Sequence, residues 1–263
     1  MSKRILKISI ITPTLNQAEF IEDTIKSVLN QNYENYEHII IDGGSSDSTL
    51  KILQKYPHLK WISEKDNGQA DAINKGFRLA RGDIIAWLNS DDFYEENIFG
   101  DIVSFFESNP SCKFLYGDIT YVNKDKKFLY KLTGADLNYQ NLLLHPDIVR
   151  QPSCFWHKDV LEQVGFLTEN LHVVMDYEFF LRIGKKYEYF YLNRNISFFR
   201  SYNENKTNLL LRKQAKELYK VMKYYNPNMN FKSYKFLFGR YLDSLNEENF
   251  FRKILNPLRK GTK

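Results

Sequence analysis

Ile84-Ile85-Ala86-Trp87-Leu88-Asn89-Ser90-Asp91-Asp92 is a short apolar run that breaks off into an amide, a hydroxyl and two carboxylates. An unbroken apolar run of this length reads as a strand buried on both faces, and such strands belong to mainly parallel sheets covered by helices. Working upstream, Gln69–Leu79 has helical spacing and Gly82 ends it, while Trp61 and Ile62 mark a strand. Before them, Ser46 or Asp47 caps a helix through Ile52 and Leu53, and Glu37–Ile41 is a strand closed by Asp42-Gly43-Gly44. At the start, a strand at Ile8–Ile11 leads into Ala18–Leu29, where Phe20, Ile21, Ile25, Val28 and Leu29 recur at helical spacing. Four strand-to-helix units in succession predict an α/β fold with a mainly parallel sheet.

Downstream the pattern changes after Pro110. Phe114–Tyr116 and Lys127–Lys131 suggest further strands, some antiparallel, short helices lie around Leu142 and Val160, and Asp176–Ile183 begins another helix. The residues Asn89–Asp92 also read as a polar loop leading to a helix near Glu95. Beyond Thr207 the chain is helical, with Leu211, Ala215, Leu218 and Met222 on one face and Lys213, Lys216, Lys220 and Lys223 elsewhere.

The 263 residues are 43% hydrophobic and 26% charged, an ordinary globular composition that needs neither disulfides nor a structural metal to fold. Cys112 and Cys154 lack metal-ligand spacing and read as packing residues. The apolar run at Ile5–Ile11 is interrupted by Lys7 and Ser9 and passes into Thr12-Pro13-Thr14, so it reads as a strand rather than a signal peptide. No stretch approaches the roughly 20 apolar residues of a spanning helix. The expected location is the cytoplasm, with reduced thiols. Net charge is +5, but residues 206–263 hold 14 Lys and Arg against 4 Asp and Glu, which leaves −5 on residues 1–205.

In open α/β sheets ligands sit beyond the carboxyl ends of the strands, and the polar clusters fall there. Thr12, Thr14 and Asn16 follow the first strand, Asp42 the second, Glu64, Asp66, Asn67 and Gly68 the third, and Asp91 and Asp92 the fourth. One aspartate after a strand is commonly a helix cap. Four clusters converging on one sheet edge point to a ligand site.

The ordered set Ile10-Ile11-Thr12-Pro13-Thr14-Leu15-Asn16, Ile41-Asp42-Gly43-Gly44-Ser45-Ser46-Asp47, Asn74-Lys75-Gly76, Leu88-Asn89-Ser90-Asp91-Asp92, Gln151-Pro152-Ser153 and Met175-Asp176-Tyr177-Glu178 resembles the family-2 glycosyltransferases over roughly residues 7–200. The resemblance is to the branch that builds bacterial surface polysaccharides such as lipopolysaccharide and capsule. It implies a GT-A fold, with a Rossmann-like, mostly parallel central sheet flanked by helices. The catalytic domain would span residues 1–205, its nucleotide-binding half about 1–100 and its acceptor half about 101–205, with a helical extension at 206–263.

The implied chemistry is inverting transfer of a hexose from a nucleotide diphosphate sugar, a UDP-sugar foremost, to a glycan or lipid-linked saccharide hydroxyl. Breaking the donor's glycosidic bond leaves extra charge on the departing diphosphate, and a divalent cation, manganese or magnesium, neutralises it. Asp91 stands at the second aspartate of the family's Asp-x-Asp metal motif, with Asp92 as support or second ligand, while Asn89 replaces the first aspartate. Asp42 takes the base-binding role by resemblance, and Gly43 and Gly44 give the turn its backbone freedom. Thr12, Pro13, Thr14, Asn16, Asp66, Asn67, Asn89, Ser90 and Gln151 are assigned to the nucleotide-sugar pocket. Asp71 either joins that pocket or stabilises a helix dipole. Phe155 and Trp156 either line the acceptor side or pack in the core.

An acceptor hydroxyl also needs a base. Asp176 and Glu178 lie about 200° apart on a helix, so only one can face a cleft. The family's acid-Asp pair falls on Met175-Asp176, which makes Asp176 the expected catalytic base and Glu178 structural. Some family members carry a metal-binding histidine in a late Arg-x-His segment, where this chain has Arg200-Ser201-Tyr202. Asn89, Met175 and Tyr202 keep open a sugar-nucleotide-binding protein without catalysis. The tail mixes its charge with Tyr224-Tyr225, Phe231, Tyr234, Phe236, Phe238, Tyr241 and Phe250-Phe251. With no nucleic-acid-binding motif beside it, this segment suits peripheral contact with the inner face of an anionic membrane, a membrane-surface scaffold, or a cap packed on the domain.

Overall fold

The computed structural model describes residues 5–134, 137–228 and 239. The chain divides into two compact units, Met1–Tyr202 and Asn203–Lys263. In the first, four βα steps run β1 (Ile8–Thr14), α1 (Ile21–Leu29), β2 (Tyr36–Asp42), α2 (Thr49–Leu53), β3 (Lys60–Ser63), α3 (Gln69–Leu79), β4 (Ile84–Trp87) and, after a short β5 (Phe93–Tyr94), α4 (Phe99–Ser108). They are followed by β6 (Phe114–Val122), β7 (Phe128–Leu132), α5 (Tyr139–Leu144), a 3-10 turn at Gln151–Ser153, β8 (Cys154–His157), α6 (Asp159–Val164), α7 (Met175–Gly184) and β9 (Tyr189–Arg200).

The nine strands among the described residues form one sheet in the order β3-β2-β1-β4-β8-β6-β9-β5, with β7 paired to β6. Strands β3, β2, β1 and β4 are mutually parallel, β8 is antiparallel to β4 and β6, and β9 runs parallel to β6. The fold is therefore a mixed α/β sheet with flanking helices. β4 sits at its centre because all four of its side chains are buried, as its sequence demands.

Several elements differ from the expectation. β1 continues through Pro13, which a central strand normally excludes. The β4 ladder ends at Ile11–Trp87, so from Pro13 onward β1 has only β2 beside it, and the register runs on to Thr14–Asp42. α1 starts at Ile21, three residues later than the helical spacing predicts, and α2 starts at Thr49. Asp47 is not its N-cap but accepts the Thr49 N–H at 2.9 Å. Asn89–Asp92 leads not into a helix near Glu95 but into β5, which pairs with β9.

Tight contacts explain two motifs. A Cβ on Gly76 would lie 2.3 Å from Cγ2 of Ile11, so this glycine lets α3 settle on β1. Next to it, buried Asn74 donates to the Leu167 carbonyl at 3.0 Å and accepts the Leu167 N–H at 2.9 Å, which ties α3 to the segment before α7. Phe77, Trp87, Trp156 and Phe179 pack edge-on and tilted behind the sheet, with Phe180 stacked on Trp87.

In the second unit α8 (Lys206–Leu209) precedes α9 (Leu211–Tyr225). On α9, Ala215, Leu218, Val221 and Met222 are buried and Lys213, Lys216, Lys220 and Lys223 are exposed. The aromatics Phe231, Tyr234, Phe236, Phe238, Tyr241, Phe250 and Phe251 lie outside the described residues. Among the described residues no helix is long and apolar enough to cross a membrane.

Candidate active site

β2, β1 and β4 lie side by side, so the loops at their carboxyl ends are neighbours. Asn16 joins two of them. It holds a left-handed φ of 53°, which asparagine tolerates, and its Oδ1 accepts the Ser46 N–H at 2.8 Å while its own N–H donates to Ser45 at 2.7 Å. Asp42 is fully buried and takes the Gly44 N–H at 3.1 Å, the Ser45 N–H at 2.9 Å, the Ser63 hydroxyl at 2.6 Å and the Ser45 hydroxyl. Its carboxylate thus builds the 42–45 turn, and a base would meet the rim of that turn.

Pro13 is buried in β1, and the two threonines beside it differ. Thr12 is interior, its hydroxyl 2.9 Å from Nε2 of His38, an imidazole that burial keeps neutral by pushing its pKa down to about 3. Thr14 is also buried, yet its hydroxyl has no partner. A buried hydroxyl left unbonded is costly, which sets Thr14 apart from its bonded neighbour Thr12.

Asp66 packs so close to the turn that a Cβ on Gly43 would lie 2.4 Å from its Oδ2, and its Oδ1 accepts the Gly68 N–H at 2.9 Å. Asn67 is exposed and donates its N–H to Asp71 at 3.0 Å. Asp71 is buried in the first turn of α3, 3.4 Å from Lys75, a position that suits a carboxylate at the helix start and also borders the Asn67 loop.

The loop after β4 is held from both sides. Gln69 Nε2 donates to Asn89 Oδ1 at 2.9 Å, Asn89 Nδ2 reaches Gln151 Oε1 and Asp92 Oδ2 at 3.4 Å each, and Gln151 Nε2 donates to the Trp87 carbonyl at 2.5 Å. An aspartate at 89 cannot donate those two bonds. Buried Asp92 turns inward, accepting the Arg200 N–H at 3.0 Å, and burial together with the neighbouring Asp91 charge raises its pKa well above the usual carboxylate range. Ser90 is buried, and Asp91 is the half-exposed carboxylate of the loop. Oδ2 of Asp91 accepts the Tyr202 hydroxyl at 2.9 Å.

Arg200, itself buried, locks this loop in place. Its Nε donates to the Asp91 carbonyl at 3.0 Å, Nη1 to the Lys124 carbonyl at 3.2 Å and Nη2 to Asp23 at 2.8 Å, with the guanidinium 4.6 Å from the Phe20 ring centre.

Asp176 opens α7, half-buried, its Oδ1 accepting the Tyr177 N–H at 2.8 Å. Burial raises its pKa, the Arg150 guanidinium draws it back down and Asp147 pushes it up. Arg150 pairs with Asp147 at 2.9 Å, and its buried Nε has no partner. Glu178 is spent on Thr168 at 3.1 Å and on Arg182 at 2.9 Å, a structural pair. Buried Phe155 and Trp156 belong to the core, and burial pushes the Cys112 thiol up to about 12.

Two contributors escaped the sequence reading. Gln69 is an ordinary first residue of a helix and carries no signal. Arg150 directly precedes Gln151-Pro152-Ser153, and that adjacency was the available hint.

Among the described residues no group of three or more His, Cys, Asp or Glu forms a cage for a metal ion. One half-exposed carboxylate, Asp91, fits a hard cation that brings phosphate ligands with it, which is how magnesium and manganese are usually held beside nucleotides.

Residues 9–199 match the model of glycosyl transferase family 2. A putative teichuronic acid biosynthesis glycosyltransferase, TuaG, of Bacillus subtilis is 34% identical over 144 residues, covering 52% of this chain and 56% of that protein. The chain spans smaller shares, 27% and 34%, of two other relatives. S. aureus TarS in complex with UDP-GlcNAc superposes with a TM-score of 0.66 at 16% identity, covering 94% of this chain and 73% of that one. The mannosyltransferase PcManGT of Pyrobaculum calidifontis, in complex with GDP-Man and Mn2+, gives 0.63 at 16% identity, covering 92% and 70%. At these identities the two structures establish the shared GT-A fold.

Proposed function

The chain belongs to glycosyl transferase family 2, and from that premise we propose that it transfers a hexose, with inversion, from a UDP-sugar to a hydroxyl of a surface polysaccharide or its lipid-linked precursor. The observation that carries the reading is the convergence of Thr14, Asp91 and Gln151 at adjoining strand ends, with the Asp176 carboxyl in the field of Arg150, the residue before Gln151. The teichuronic acid relative and the UDP-GlcNAc complex of TarS support the donor and the polymer class.

In this mechanism the rim of the 42–45 turn and the unbonded Thr14 hydroxyl receive the nucleoside, and Asp66 and Asn67 border it. A divalent cation, manganese or magnesium, when bound at Asp91 supplies positive charge to the departing diphosphate. Asn89 and Gln151 orient the sugar through amide groups already ordered by Gln69 and the Trp87 carbonyl. Asp176 takes the proton of the acceptor hydroxyl, whose oxygen attacks the anomeric carbon from the face opposite the leaving group. Its raised pKa suits that task, since a base is most useful when its pKa lies near the working pH.

The basic segment at residues 206–263 supports placement at an anionic inner membrane face, where a lipid-linked acceptor would sit. The test of the reading is a donor panel scored by thermal shift with and without manganese, followed by transfer assays with the donor that stabilises most. Stabilisation by a UDP-sugar and transfer with inverted anomeric configuration are expected. No stabilisation by any nucleotide sugar would refute it, and stabilisation without transfer would favour a sugar-nucleotide-binding protein.

A further inference from the structure

The loop after β4 offers a cation little. Asn89 has its carbonyl bonded to Gln69 and its amide shared between Gln151 and Asp92. Asp92 is buried and accepts the Arg200 N–H. The half-exposed carboxylate is Asp91, and the Tyr202 hydroxyl donates to its Oδ2 at 2.9 Å.

That hydroxyl is placed rather than swinging. The Tyr202 ring lies 5.0 Å from the Phe20 ring, tilted at 48°, and Phe20 is packed under Arg200, two residues earlier on the same strand end. A neutral phenol donating to a carboxylate oxygen occupies one of the lone pairs through which that oxygen would bind a cation, and it is itself a weak ligand.

We propose that Tyr202 is a built-in competitor for Asp91 that makes cation binding conditional on the donor nucleotide. Resting on the nucleotide-sugar reading above, this deepens it by assigning an order. A hard cation requires about six oxygen ligands, and the protein presents one carboxylate that is already hydrogen-bonded. Only when the pyrophosphate contributes its oxygens is the total favourable enough to displace the phenol. The protein alone is then a poor cation binder, and donor and cation enter together.

The test is manganese uptake by the full chain, read as loss of the free-ion electron paramagnetic resonance signal beyond that of a protein-free blank of the same composition, with no nucleotide, with UDP and with GDP. Wild type is expected to take up manganese only with a nucleotide. Tyr202→Phe keeps the ring packed on Phe20 and removes the donor, so its uptake with nucleotide should strengthen roughly threefold to tenfold, the worth of one hydrogen bond. Tyr202→His puts an imidazole at Asp91 and should bind manganese without nucleotide. Equal uptake by wild type with and without nucleotide overturns the proposal, as does unchanged or weaker uptake by Tyr202→Phe. Calorimetry on the same samples separates the two levels: if neither UDP nor GDP binds in any condition, it is the nucleotide-sugar reading that fails.

Discussion

Arg200 donates its backbone N–H to Oδ1 of Asp92 at 3.0 Å, and its guanidinium then fastens the Asp91 carbonyl, the Lys124 carbonyl and Asp23. One residue at the end of β9 thereby holds the loop after β4, the turn between β6 and β7, and α1. Arg200→Ala should cost about 3 kcal/mol, because it leaves two carbonyls without their donor and Asp23 with Lys126 alone. Chemical denaturation measures this, and a loss within experimental error of zero would refute the locking role. Arg200→Lys should recover little, since an ammonium cannot span three diverging acceptors.

Asp176→Asn should abolish transfer while leaving donor affinity within about twofold, because an amide keeps the shape but takes no proton. Near wild-type turnover would remove Asp176 from the base role.

The acid limb of the rate profile should lie above the ordinary carboxylate range, as burial raises the Asp176 pKa. Arg150 opposes that shift, so Arg150→Gln should move the limb to still higher pH without shifting the alkaline side. A limb that stays put, or moves down, contradicts the arrangement.

His38 resists protonation when folded, with a pKa of about 3 against 6.5 in the unfolded chain. The unfolded state therefore binds the extra proton, and stability falls as pH drops below 6.5. By about pH 5 the loss should be about 2 kcal/mol. Glu37 enters lower. Although burial pushes it up, Lys60, Ser9 and the Arg81 N–H hold its pKa at about 2, so its contribution is lost only as pH falls below 4.5. Urea titrations above pH 4.5 thus leave Glu37 out, and since burial also lowers the pKa of His58 and His157, the His38 share is the part of the slope that His38→Gln removes.

Asn74→Ala should destabilise the protein by about 2 kcal/mol, since it strands the buried N–H and carbonyl of Leu167 together. Equal stability of the variant would show that water or a rearranged loop satisfies them.

The parallel half of the sheet was legible because β1, β2 and β4 are buried on both faces, and their apolar runs end in polar residues at the sheet edge. β9 was not. Asn193-Arg194-Asn195 interrupts its alternation, and there its register on β6 slips from Gly117–Leu192 to Asp118–Asn195. β8 is four residues long and follows directly on the 3-10 turn. At the site, the residue types after each strand could be read, but not what each side chain bonds. Asp42 and Asp92 look alike as loop carboxylates, yet both are filled by internal donors, one from its own turn and one from Arg200 far along the chain. The same holds for Gln69, whose importance comes from an amide 20 residues away.

β9 also ties α7 to the loop after β4. Near its start Tyr189 donates to the Phe180 carbonyl of α7, the helix that carries Asp176, and at its end Arg200 grips the loop of Asp91. In the proposed mechanism the base Asp176 and the diphosphate site at Asp91 are thus mounted on one beam, and their separation is set by the length of a strand rather than by the loops around them. Substitutions in the loops can then retune which sugar or acceptor is admitted while the reach between the two chemical groups is inherited unchanged.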